Sequence, residues 1–163
     1  MTQQYAVTDL TSAGSRSGPF DGFARRHQDT FVLLGRLAIG AIFVTSGLHK
    51  LLALGGFEAS LASKGVPLAA IFAPLGAAVE FFGGLAIVLG VATRASSLLM
   101  LAFVIVATAI SHRFWEFDGA ARTAQQINFD KNLCIAGSFV LLFAGGAGRF
   151  SIDGLFGARK GRP

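Results

Sequence analysis

Residues 74–94 read PLGAAVEFFGGLAIVLGVATR, an apolar run with one carboxylate, Glu80, near its middle. In water a lone glutamate on a helix is an ordinary solvated group, but near the centre of a helix in hydrocarbon a charge costs about 3 kcal/mol on insertion scales. Its meaning therefore depends on the solvent. Of the 163 residues, 53% are hydrophobic and 14% are charged, against roughly a quarter charged in an average soluble domain. Mean hydropathy is +0.61. The quoted stretch belongs to one of four apolar blocks that approach the length a helix needs to cross a bilayer core, about 20 residues.

The blocks predict helices over about 31–52, 68–90, 95–112 and 132–148, the last being the shortest. None carries the polar stripe of a surface helix in a soluble protein. None alternates polar and apolar residues as a membrane barrel strand does. The short connector VATR (91–94) makes the second and third blocks an antiparallel hairpin. The first block is longer than a signal core and lacks a small-x-small cleavage site, so it is read as a retained helix. The expected fold is an all-α, four-helix transmembrane bundle with a membrane domain over 31–156. It is flanked by a flexible, Ser/Gly/Thr/Gln-rich tail over 1–30 and a basic tail over 157–163.

Lys and Arg divide unequally between the two sides. Arg16, Arg25, Arg26, Arg36, Arg94, Arg149, Arg159, Lys160 and Arg162 fall on one, and Lys50, Lys64, Arg113, Arg122 and Lys131 on the other. By the positive-inside rule both termini lie in the cytoplasm. The formal charge of +5 is then a topology signal with some attraction to anionic lipid, not a nucleic-acid footprint.

Helical periodicity supplies faces. At 100° per residue Glu80 shares a stripe with Ala69, Ala73, Gly76, Ala77, Gly83, Gly84 and Ile87, while Ile71, Leu75, Phe82, Leu85 and Leu89 fall opposite. Small residues let membrane helices approach closely, so the Glu80 side is expected to face the bundle. On the first helix Arg36, Gly40, Phe43, Gly47 and Lys50 share one face. Arg36 and Lys50 are about 21 Å apart along the axis, so either could approach Glu80, from opposite ends. The carboxylate is then a structural ion pair or a contact for a proton or polar ligand, and both readings stand at this point.

Other polar groups gather at the predicted outer ends: His49 and Lys50, Ser111 and His112, Lys131 and Asn132. His49 and His112 are candidate ligand contacts, but no spacing motif supports metal or haem ligation. Arg94 and Asp153 are candidate structural charges, with a salt bridge from Asp153 to Arg36 or Arg94 expected to clip the bundle. Cys134 is the single cysteine, which excludes an internal dithiol mechanism. It is read as a small buried hydrophobe.

The segments GRLAIGAIFVTSGLHKL, a Gly-Val-Pro turn, AAVEFFGGLAIVLGVATRASSLLM and GAGRFSIDGLF, in that order, resemble the DoxX family of small four-helix bacterial membrane proteins. The matching positions are Arg36, Gly47, Lys50, Glu80, Gly84, Gly90, Arg94, Gly148, Ser151 and Asp153. The resemblance implies a multi-pass protein of the bacterial inner membrane, associated with membrane redox complexes, thiol-stress responses or quinone-related chemistry. Related proteins use cysteine pairs, and this chain departs from that pattern.

Two function classes follow. One is a redox-associated membrane subunit binding a quinone-like or other amphipathic ligand, or a membrane or soluble redox partner protein, with Glu80 and Lys50 or Arg36 as polar contacts. The other is a non-catalytic scaffold or assembly factor whose charges only fix the fold. Transport would require an oligomer, since four helices leave little room for a pore.

Overall fold

A computed structural model describes residues 18–160 as an all-helical chain, with no strand among them. The elements are α1 (Pro19–Arg26), α2 (Gln28–Leu52), α3 (Leu54–Ser63), α4 (Ala69–Leu89), α5 (Thr93–Ser111), α6 (Gly119–Gly145) and α7 (Ile152–Lys160), with a 3₁₀ turn over Phe114–Glu116. Helices α2, α4, α5 and α6 are long and apolar enough to cross a membrane. They form the four-helix transmembrane bundle.

Three boundaries differ from expectation. Residues 1–17 of the expected tail lie outside the described residues, but 19–26 and 28–30 are helical. Pro19 stands at the first helical position, where its missing N–H costs nothing. The Asp21 carboxylate accepts the Gly18 amide at 2.6 Å. Helix α3 lies within the first loop. The fourth membrane helix begins at Gly119, thirteen residues before the apolar run. The segment GAARTAQQINFDK is too polar to register as a span, yet Ala, Gln, Arg and Lys are good helix formers. Ala92 and Gly90 sit in left-handed backbone, so α5 starts at Thr93, two residues earlier than expected.

The tightest seam joins α2 to α4. A Cβ on Gly47 would lie 2.5 Å from the Phe81 amide nitrogen, and one on Gly84 2.7 Å from Phe43 Cβ. Backbone approach of this kind is how membrane helices gain dispersion energy without a hydrophobic driving force. The buried residues of α2 are Arg36, Gly40, Phe43 and Gly47, and those of α4 include Ala73, Ala77, Glu80, Gly83, Gly84 and Ile87. Both faces are those that periodicity predicts. Helix α5 packs on α4 through Met100 against Gly83, and α6 packs on α5. Phe43, Ile87, Met100, Val104, Phe139 and Leu142 form the central cluster. The Phe43 and Phe139 rings, 5.5 Å apart, link α2 to α6.

Candidate functional site

Glu80 is 4% exposed. Its Oε2 pairs with the Lys50 ammonium across the α2–α4 seam. The Lys50 side chain is one-third exposed and lies 5.0 Å from the centre of the Phe57 ring, a cation–π contact from α3. The sequence left two partners open for Glu80, and the geometry selects Lys50.

Arg36 is turned to the other end and is 1% exposed. Its Nε donates to the Ile87 carbonyl at 3.0 Å and Nη2 to that of Val88 at 2.8 Å. Nη1 donates to the carbonyl of Ala147. Those of Ile87 and Val88 are among the final carbonyls of α4, where partners within the helix run out; Ile87 also accepts the Gly90 amide at 3.3 Å. The planar guanidinium thus joins α2, α4 and the segment after α6, which a single ammonium point could not do with the same fork. A Cβ on Gly90 would fall 2.8 Å from Arg36 Cζ. Glycine is needed there for this approach as well as for its φ of +69°.

Asp153 makes no ion pair with Arg36 or Arg94 among the described residues. The expected salt-bridge clip is replaced by a helix cap. The two carboxylate oxygens accept the amides of Ala92 at 2.8 Å and Thr93 at 2.7 Å, and the Asp153 amide donates to the Gly90 carbonyl at 2.9 Å. A carboxylate at a helix start meets unsatisfied donors and the positive end of the dipole. Burial pushes the carboxyl upward in pKa, but the Thr93 and Ala92 hydrogen bonds and the charge of Arg36 outweigh it and hold it below the usual carboxylate value. Arg94 is exposed beside the Gly146 turn.

The histidines separate. His49 is exposed, while His112 Nδ1 lies 2.8 Å from Gln125 Oε1 and ties α5 to α6. Cys134 is exposed rather than buried, because it sits on the side of α6 opposite Phe139.

One feature was not legible beforehand. Between α5 and α6, towards the His112 end, lies an apolar cavity of about 210 Å³. Val104, Ile105, Ala109, Leu133 and Ala136 form its walls, with Trp115 and Phe129 beside them. The Asn132 amide donates to the Thr108 hydroxyl within it at 2.9 Å. Asn132 was visible as a polar residue in a helix start, but its pairing with Thr108 depends on the α5–α6 register. Phe114, Trp115 and Phe129 stack edge to face around the mouth.

The sequence has relatives among known proteins. The family model DoxX matches residues 31–113. Inner membrane protein YphA of Escherichia coli (strain K12) is 34% identical over 122 residues, 75% of this chain and 87% of the relative. Inner membrane protein YqjF of the same organism is 33% identical over 131 residues, covering 80% and 95%. No solved structure matches the chain.

Proposed function

As the chain belongs to the DoxX family of integral inner-membrane proteins, we propose that it serves as a redox-associated membrane subunit holding a small amphipathic, quinone-like molecule between α5 and α6. The supporting observation is the cavity there. An enclosed apolar cavity of about 150 Å³ admits benzene, and this half-open one of about 210 Å³ has room for one substituted ring or a chain segment. Asn132 offers its remaining amide N–H and its carbonyl oxygen, the Thr108 hydroxyl being held between the Asn132 amide and the Val104 carbonyl, and Trp115 and Phe129 offer ring faces.

The placement differs from a site at Glu80, since Glu80, Lys50 and Arg36 are engaged with partners inside the protein. That engagement favours a second reading, a scaffold or assembly factor without a ligand. In either case the Lys and Arg distribution supports an orientation with the Arg36 end in the cytoplasm and the cavity near the outer leaflet.

Extraction of protein purified in native-membrane nanodiscs tests the choice. The ligand reading expects quinone in the wild-type extract and at least tenfold less from Ala136→Phe, which fills the cavity, at an unchanged melting temperature. Wild-type protein free of quinone overturns it and leaves the scaffold reading.

A further inference from the structure

Helix α1 has no buried residue, yet its sequence PFDGFARR is sharply two-sided. At 100° per residue Phe20, Phe23 and Ala24 share one face, with Asp21, Gly22, Arg25 and Arg26 on the other. Phe20 is 80% exposed and Phe23 57%. Asp21 is engaged with the Gly18 amide, whereas Arg25 and Arg26 enter no ion pair among the described residues.

The depth of this helix can be read from its neighbours. Arg36 is level with the end of α4 through Val88, and Asp29 is level with the segment after α6 through the Arg149 amide. Residues 19–26 therefore begin beyond the ends of the spans. His27 breaks regular helix geometry between α1 and α2 with φ −108° and ψ 11°. The Phe23 ring lies 6.0 Å from that of Phe31, although eight residues of straight helix advance about 12 Å. Phe31 is itself exposed on a membrane helix, so the apolar face of α1 continues the lipid-facing surface of α2.

We infer that α1 is an interfacial anchor that lies on an anionic phospholipid surface, with Phe20 and Phe23 in the boundary of headgroups and acyl chains and Arg25 and Arg26 at the phosphates. Amphipathic helices of this composition bury their apolar face about 5–10 Å into that boundary. Each basic residue near an anionic surface adds an attraction equivalent to about a fivefold gain in partitioning. The fit is to lipid and not to a second copy because the polar face carries a net positive charge beside a face of two exposed aromatic rings. This anchor does not depend on what the α5–α6 cavity holds.

Trp115 is the sole tryptophan, so Trp115→Phe with Phe20→Trp makes position 20 the only tryptophan, excited selectively at wavelengths too long for tyrosine. The double variant is reconstituted in vesicles of phosphatidylcholine, with and without phosphatidylglycerol and with lipids brominated near the headgroup. The anchor predicts blue-shifted emission, quenching by the brominated lipid, and stronger quenching with phosphatidylglycerol. Arg25→Gln with Arg26→Gln removes the dependence on phosphatidylglycerol. Water-like emission in every lipid overturns the inference, as does quenching indifferent to lipid charge. Blue emission that escapes quenching and grows with protein-to-lipid ratio shows a protein contact instead, and also overturns it. If Trp115→Phe disturbs folding, Cys134→Ala with Phe20→Cys carries an environment-sensitive label to the same position and gives the same reading.

Discussion

Asp153 caps α5 from sixty residues further along the chain, receiving the Thr93 amide on one carboxylate oxygen at 2.7 Å and that of Ala92 on the other. The start of α7 is thereby fastened to the hairpin between α4 and α5. Arg36 holds the adjoining carbonyls at the end of α4, so an anion caps the first amides of α5 and a cation binds the last carbonyls of α4 at one turn.

Asp153→Ala removes the cap and lowers stability by about 1 kcal/mol, up to about 2. Thermal unfolding in detergent, followed by helical circular dichroism, measures the loss. Asp153→Asn keeps one acceptor and loses less.

The same carboxyl gives a pH dependence of known sign. Its folded pKa is lowered, so the unfolded chain binds the proton more readily and stability rises with pH between the folded and unfolded values. The contribution is complete above the ordinary carboxylate range, from about pH 5 upward, and fades as pH falls below about 4. Melting curves of wild type and Asp153→Asn are therefore separated at pH 7 and converge in acid. A separation that persists unchanged at pH 3 contradicts this account.

Removing one member of the Lys50–Glu80 pair leaves the other unpartnered at low dielectric. Lys50→Met or Glu80→Leu alone costs about 3–5 kcal/mol by analogy with buried pairs, discounted for Lys50 because its side chain is one-third exposed. The double variant restores much of the loss. Fluorescence-detected size-exclusion melting of the four proteins gives the coupling, and additive losses contradict the pairing.

Arg36→Lys does not rescue Arg36→Met. A lysine keeps the charge but cannot span the Ile87, Val88 and Ala147 carbonyls with one fork. Hydrogen bonds to a charged group contribute about 1.5–3 kcal/mol each, so both variants express poorly or melt far below wild type.

Glycines divide by neighbour. Gly47→Ala drives a methyl into the Phe81 backbone and costs at least about 1–3 kcal/mol as overpacking. Gly35→Ala on the same helix meets nothing within 4 Å and is neutral or stabilising by up to about 1 kcal/mol. Their melting temperatures move in opposite directions, or by very different amounts.

Chain periodicity was enough to place Glu80, Arg36 and the glycines on inward faces, because small residues and charges recur at helical spacing along α2 and α4. It also made the four spans visible, since apolar runs near 20 residues without a polar stripe, in a chain this small, read as membrane crossings. The polar first half of α6 and helix α1 escaped notice because they do not announce themselves by hydropathy, and α3 because its ten residues are too few to cross a bilayer. Their helicity rests on propensity, capping and packing.

The amino-acid sequence by itself determined the membrane as solvent, the number of crossings and the faces that meet, all properties of local composition and of the 3.6-residue turn. Only the tertiary structure decided which charges meet. Lys50 and Arg36 share a face about 21 Å apart, and the register of α2 against α4, fixed where glycine backbones touch, gives Glu80 to Lys50. The same register leaves Arg36 to bind carbonyls and Asp153 to cap α5. The cavity beside Asn132 and Thr108 likewise arises from how α6 lies along α5, a relation between distant segments that no single segment encodes.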